Sequence, residues 1–346
     1  MENTKIIHKP LISIIIPVYN VEPFLAEALD SVINQSYEKL EILIIDDGST
    51  DGSGAICDEY AFKDDRISVT HQENRGLSSA RNAGLNCMTG EICAFLDSDD
   101  AFESTFIEKM LAAMLHEEAD LVVCKYTVHQ TEKKLYLTDE QARPSADSGN
   151  YDRIHALRAL ADGIINVAVW NKLYRRTLWQ NIRFPEGRYY EDYETTLRIF
   201  NICHLLHVLD EPLYLYRKRQ GSITSTPSIK IIRDKNLAYS HFASFIEANT
   251  PEIFNASQKQ NWHQFLLNDI IIYYLNHTAG RSYEEITFRK ELRKYIILTG
   301  KETGIKTFGL RTRIAWYMIR FCPMLLKIVY RVYLPVRLKV FKIIGR

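Results

Sequence analysis

Six cysteines are scattered along the chain (Cys57, Cys87, Cys93, Cys124, Cys203 and Cys322), and none forms a CxxC pair or joins histidines at zinc spacing. That excludes a zinc ribbon, a thioredoxin-like redox motif and a disulfide framework, and the thiols read as reduced and mostly buried, as in a cytosolic protein. No apolar run reaches the ~20 residues needed to span a bilayer. The early run "LISIIIPV" is short and is closed by Pro17 and the polar pair Tyr19–Asn20, so no leader is expected. No GxGxxG follows this run and no GxxxxGK precedes a Ser or Thr, which argues against dinucleotide and P-loop sites. The 12-residue ligand spacing of an EF-hand is also absent. After Glu302 there is no Asp or Glu, while ten Lys or Arg follow, so a chain of zero net charge is an acidic body of about −10 joined to a basic tail.

The 346 residues are 46% hydrophobic and 25% charged, ample for a core and for one large domain with an appendage. "SIIIPV" (Ser13–Val18) and "EILIID" (Glu41–Asp46) are continuous β-rich runs of the kind buried on both faces of a sheet. Further strands are expected over Arg66–Gln72, Glu91–Asp97 and Asp120–Tyr126. Between them the 3.6-residue pattern predicts helices over Glu22–Asn34, from the Asp51–Gly52 pair or Ser53 onward, over Gly76–Asn86 with a cap near Ser78, and over Glu103–His116. Strand and helix in alternation predict an α/β fold around a mainly parallel sheet.

In such sheets ligands bind beyond the carboxyl ends of the strands. Here those ends read Tyr19–Asn20, Asp46–Asp47 and "FLDSDD" (Phe95–Asp100). Acids that merely cap the next helices would account for one carboxylate per turn. Five at one rim repel one another, and a divalent cation is the simplest remedy. Mg²⁺ or Mn²⁺ takes oxygen ligands, keeps waters and often bridges one or two carboxylates to a phosphate.

Four segments, "IIIPVYNVEPFLAEALDSVINQSYEKLEILIIDDGSTDGS", "NRGLSSARNAGL", "GEICAFLDSDD" and "YYEDYE", occur in the order and spacing of the family 2 glycosyltransferases, and the chain resembles that family over roughly residues 10–225. The resemblance implies a GT-A fold, a Rossmann-like sheet flanked by helices. It implies a nucleotide-sugar donor, UDP by family habit, with Mn²⁺ or Mg²⁺ as cofactor. Pro17, Tyr19 and Asn20 look like the edge of the nucleotide pocket, and Asp47 like the acceptor of a uracil N3–H. Asp97 and Asp99 look like a DxD pair around Ser98, with Asp99 on the metal, although Asp100 adds a third candidate. Arg81 stands where the family has a basic residue near the phosphates; a salt bridge inside the acidic rim is the other reading. Asp192 looks like the catalytic base and Glu191 like its neighbour, although acids also favour helix N-termini on their own account.

"VAVWNKLYRR" (Val167–Arg176) resembles a segment that shapes the acceptor cleft through Trp170, Asn171 and Lys172, with Trp170 either stacking on a sugar or sitting in the core. An edge strand is expected within Glu211–Thr224, followed by a basic loop whose Arg217 and Arg219 resemble a segment that closes over the diphosphate in relatives. One acid facing the acceptor and a metal-bound leaving group imply inversion, since retention needs a nucleophile on the other face. The Gln-x-x-Arg-Trp motif and membrane spans of processive members are absent, so one sugar per encounter is expected. A sugar nucleotidyltransferase and an inactive scaffold recruited through its tail are the alternatives.

The domains expected are a catalytic part over 1–225, a helical extension over 226–302 and a basic tail over 303–346. Helices are expected over Asn150–Ile165, 234–248, 261–277 and 283–298, with His263 and His277 structural rather than ligating. In the tail, Arg313, Arg320, Lys327 and Arg331 fall in a stripe about 40° wide, with Trp316, Tyr317, Ile319 and Phe321 between them. That suits a helix in an anionic membrane interface, or one packed on the acidic body. With the resemblance, it places the enzyme in the cytoplasm on the inner membrane face, acting on a lipid-linked or polysaccharide acceptor in bacterial surface-polysaccharide synthesis, without nucleic acid.

Overall fold

A computed structural model describes residues 9–129, 146–219, 229–251, 283–302 and 309–322, with a few isolated positions besides. It divides into two compact units, Met1–Ser222 and Ile223–Arg346.

The first unit alternates β1 (Ile12–Val18), α1 (Glu22–Ile33), β2 (Leu40–Asp46), α2 (Ser53–Lys63), β3 (Ile67–His71), α3 (Leu77–Cys87) and β4 (Ile92–Phe95). Then come β5 (Ala101–Phe102), α4 (Phe106–His116), β6 (Leu121–His129), β7 (Gly149–Asp152), α5 (Arg153–Ala161), β8 (Lys172–Arg175), a 3-10 turn (Arg176–Trp179), α6 (Glu191–Ile202) and β9 (Leu205–Arg217). These nine strands form one sheet in the order β3-β2-β1-β4-β8-β6-β9-β5, with β7 also on β9.

Every residue of β1 is buried, as its uninterrupted apolar run requires. Ile12, Ile14, Ile16 and Val18 face the main core with α1 and α4 residues. Ile15 meets α3, and Gly84 permits that approach, because a Cβ there would overlap the Ile15 side chain. β1 and β2 run parallel, Val18 opposite Asp46, and β3 continues the row with Asp46 opposite His71. The turns after these strands therefore open on one rim.

Four expectations need correction. β8 runs antiparallel between β4 and β6, so the sheet is mixed where simple alternation puts β4 beside β6. β9 is no edge strand: it pairs with β6 along its length and carries β7 at Leu205–Val208 and β5 at Tyr214–Leu215 on its other side. α3 begins after Gly76, whose φ of +88° suits glycine, and no side chain caps it. Ser78 is buried instead. α5 is shorter than Asn150–Ile165, because Asn150–Asp152 is strand and Asp152 caps the helix by accepting from the His155 N–H at 2.9 Å.

The second unit contains α7 (Ile229–Asn249), α8 (Tyr283–Glu302) and α9 (Leu310–Phe321). Ile232, Leu292, Ile296, Trp316 and Ile319 share its core with Leu267, Ile271 and Tyr274. The Trp316 indole donates to the Ile296 carbonyl at 3.0 Å. Trp316 and Ile319, expected among lipid-facing residues, thus form a packed face. The rest of the helix expected over 261–277, with His263 and His277, lies outside the described residues, as do Lys327 and Arg331. Among the described residues, no helix is long and apolar enough to cross a membrane.

Candidate active site

Asp47 follows β2 directly and is buried. It accepts from Gln72 Nε2 at 2.7 Å and from the backbone N–H groups of Arg75 at 2.9 Å and Gly76 at 2.7 Å. Three bonds on a carboxylate with about four lone-pair sites leave room for one more donor. Asn20, at φ +50°, accepts from the Thr50 N–H at 2.8 Å and so ties the turn after β1 to the turn after β2. Tyr19 beside it is 48% exposed, which leaves its ring open to a ligand, whereas Pro17 lies within β1. Below this rim, Asp46 accepts from His71 Nδ1 at 2.8 Å. Burial would raise its pKa, but bonds from Ser49 and His71 outweigh that and hold it below the ordinary carboxylate value.

The acid run after β4 is held by cations from α3 and from the end of β9. Arg81 Nη2 lies 2.8 Å from Asp97, and its Nη1 lies 2.7 Å from Glu191. Arg219 Nε lies 2.7 Å from Asp99 Oδ2. Asp100 is fully enclosed and accepts from the Tyr214 hydroxyl and the Arg217 N–H, both at 2.7 Å. Arg217 also donates to the Asp99 carbonyl at 2.9 Å and to Glu27 at 2.6 Å. Asp100 is therefore a latch to β9, which leaves Asp97 and Asp99, flanking buried Ser98, as the acids open to a ligand. Burial, then the charge of Asp97, push the Asp99 pKa up, against the pull of Arg219. For Arg81, the ion-pair reading matches the observed contacts.

Among the described residues, no group of three or more His, Cys, Asp or Glu could hold a metal. Asp97 and Asp99, two carboxylates in one turn, are the residues that could hold an Mg²⁺- or Mn²⁺-like ion drawing its other ligands from water and phosphate.

On the far side of Arg81, α6 is preceded by Tyr190, a left-handed residue with φ +60°, and its first turn carries buried Glu191 and half-buried Asp192. Asp192 keeps a partial opening to solvent. Desolvation by surrounding protein, then the charge of Glu191, push its pKa up to about 7, with Arg81 opposing. The Thr196 hydroxyl donates to the Val167 carbonyl at 2.6 Å, which joins α6 to the segment before β8.

That segment lies in the interior. Trp170 is buried, stacked on Tyr214 with ring centres 4.3 Å apart and on Tyr216 at 5.4 Å. Asn171 and Lys172 are fully buried. Lys172 donates to Asn166 Oδ1 at 2.8 Å, to Asn171 Oδ1 at 2.9 Å and to the Ala168 carbonyl, and burial pulls its pKa down to about 7. These residues brace the floor below α6, because the apolar neighbours of β8 draw them inward.

Residues 13–183 match the family model described as Glycosyl transferase family 2. The putative glycosyltransferase EpsH of Bacillus subtilis is 34% identical over 245 residues, 69% of this chain and 70% of EpsH. This chain belongs to glycosyl transferase family 2. Glycosyltransferase GlyA of Streptococcus pneumoniae is 36% identical over 218 residues, 62% of this chain but 31% of GlyA, so the match spans under a third of that relative. The crystal structure of S. aureus TarS 1–349 in complex with UDP-GlcNAc superposes with a TM-score of 0.64 over 93% of this chain and 91% of that one, at 19% identity. The fold is the mixed α/β sheet with flanking helices of that structure, a GT-A fold with C-terminal helices.

Within this glycosyltransferase, sequence reasoning missed Tyr214 and Glu27. Nothing in "YLYR" or in the α1 pattern marks them, because their partners lie 114 and 190 residues away.

Proposed function

We propose that this glycosyltransferase moves one sugar from a nucleotide-sugar, a UDP-sugar by the family resemblance at Asp47, to a hydroxyl of a lipid-linked or polysaccharide acceptor, with inversion, in surface-polysaccharide synthesis. The observation that carries this is the Arg81 guanidinium, which draws Asp97 of the donor rim and Glu191, next to Asp192, into one cluster.

Asp47 receives the base N3–H on its remaining lone pair, and Tyr19 with Asn20 borders the nucleotide, Pro17 supporting that edge from within β1. Asp99, with Asp97, would hold Mg²⁺ or Mn²⁺, which when bound neutralises charge on the departing diphosphate. Arg219, and Arg217 behind it, supply further positive charge there. Asp192 accepts the acceptor hydroxyl proton as the new C–O bond forms and the bond from the anomeric carbon to the diphosphate oxygen breaks. A base near pKa 7 is well matched to that task at neutral pH.

The catalytic part is assigned to 1–225, the helical extension to 226–302 and the basic tail to 303–346. The tail works at an anionic membrane surface, on the inner face of the cell membrane. In its described part, Leu310, Ile314, Tyr317 and Phe321 are all exposed, and their spacing puts them on one face of α9.

A screen of nucleotide-sugars for metal-dependent hydrolysis tests the reading, because slow hydrolysis needs no acceptor. Release of UDP from one donor supports it. Consumption of a nucleoside triphosphate with release of pyrophosphate would instead make the protein a nucleotidyltransferase.

A further inference from the structure

Arg217 and Arg219 meet the acid run in different ways. Arg217 is buried and bonds the Asp99 carbonyl, the Asp100 carboxylate through its own N–H, and Glu27. These contacts fasten β9 to the turn and to α1. Arg219 stands two residues past the end of β9, and its Nε bonds the Asp99 carboxylate itself at 2.7 Å. Its side chain is 17% exposed, against 1% for Arg217, and its guanidinium rests 5.1 Å from the Phe24 ring centre. The cation on Asp97 differs again, since Arg81 is buried and shared with Glu191. Among the described residues, the acid run thus has one cation at its open end, and that cation sits on the carboxylate assigned to the metal.

A divalent ion on Asp99 would lie within a few ångströms of this guanidinium, and like charges that close repel strongly in a partly desolvated site. Both cannot share the carboxylate on good terms. The displaced guanidinium then needs another anion, and a diphosphate arriving at the same rim supplies one. We propose that Arg219 is the resident counter-ion of Asp99 in the free protein and exchanges from that carboxylate to the donor diphosphate, so that metal and nucleotide bind cooperatively. This rests on the reading of Asp99 as the metal ligand.

The test is Mn²⁺ binding to the full chain, followed by electron paramagnetic resonance of the free ion, with and without UDP and with no turnover. The wild type is expected to bind Mn²⁺ weakly alone and more tightly with UDP. Arg219→Gln should tighten Mn²⁺ alone by about tenfold, a coupling of ordinary size, and shrink the gain from UDP. Arg219→Lys should behave as wild type. Lys63→Gln, which removes the same charge from a surface pair with Glu59, should change nothing. If Lys63→Gln matches Arg219→Gln, the effect is bulk charge and the exchange fails. If Arg219→Gln leaves Mn²⁺ affinity unchanged or weaker while Asp99→Asn lowers it, the exchange fails and the metal assignment stands. If Asp99→Asn has no effect on Mn²⁺, both fall.

Discussion

A single guanidinium, that of Arg81, holds one acid from the turn after β4 and one from the first turn of α6, and its side chain is 4% exposed. Removing one partner of such a buried cluster strands the others. Arg81→Met should therefore cost about 3–5 kcal/mol in urea unfolding, and Arg81→Lys should recover only part of it, because an ammonium lacks the planar fork that reaches both acids. Asp192 titrates in a useful range. Transfer should fall as pH drops through about 7, as the base becomes protonated. Asp192→Asn should lower turnover by about 10²–10⁴-fold while UDP affinity is kept. The same group opposes folding when ionised. Its pKa is raised in the folded protein, so its ionisation removes stability as pH climbs from its ordinary value near 3.8 to about 7. Asp192→Asn should thus raise the melting temperature at pH 8, by of the order of 1 kcal/mol of stability, and not at pH 3. Equal melting shifts at both pH values would contradict that assignment.

Among the elements, β1, β2 and the helices around them follow from the pattern of residues, because a run such as "SIIIPV" has only one comfortable place in a sheet. β8 did not declare itself: four residues, "KLYR", are too short for a period, and their place between β4 and β6 depends on pairing across the chain. β9 was partly legible, but its partners β5, β6 and β7 come from three separate stretches. The closeness of α3 to β1 depends on Gly84. Gly84→Ala should cost about 1–3 kcal/mol through overpacking against Ile15, and Ile15→Val in the same chain should return part of it, as a double-mutant cycle would reveal. Additive losses would mean that the two do not press on each other.

For the whole molecule, charge and covering of apolar surface divide the work. α9 turns Trp316 and Ile319 into a core and leaves Leu310 and Phe321 exposed at 67% and 64%. The full chain should sediment with vesicles of anionic lipid and less so as salt rises, since the basic tail acts through a screened field. Leu310→Ser with Phe321→Ser should weaken that binding several-fold and leave donor hydrolysis unchanged. Binding equal on neutral and anionic vesicles would remove the electrostatic part of the proposal.

The alternation of β-rich runs and amphipathic helices, the carboxylates at strand ends and the basic tail were all set by local sequence, since each depends on residues within one or two turns of one another. Which cation answers which acid was decided by tertiary structure alone. Arg81 reaches Glu191, Arg217 reaches Asp100 and Arg219 reaches Asp99 only after the sheet has closed. A charge with its partner more than a hundred residues away leaves no periodic trace in the chain.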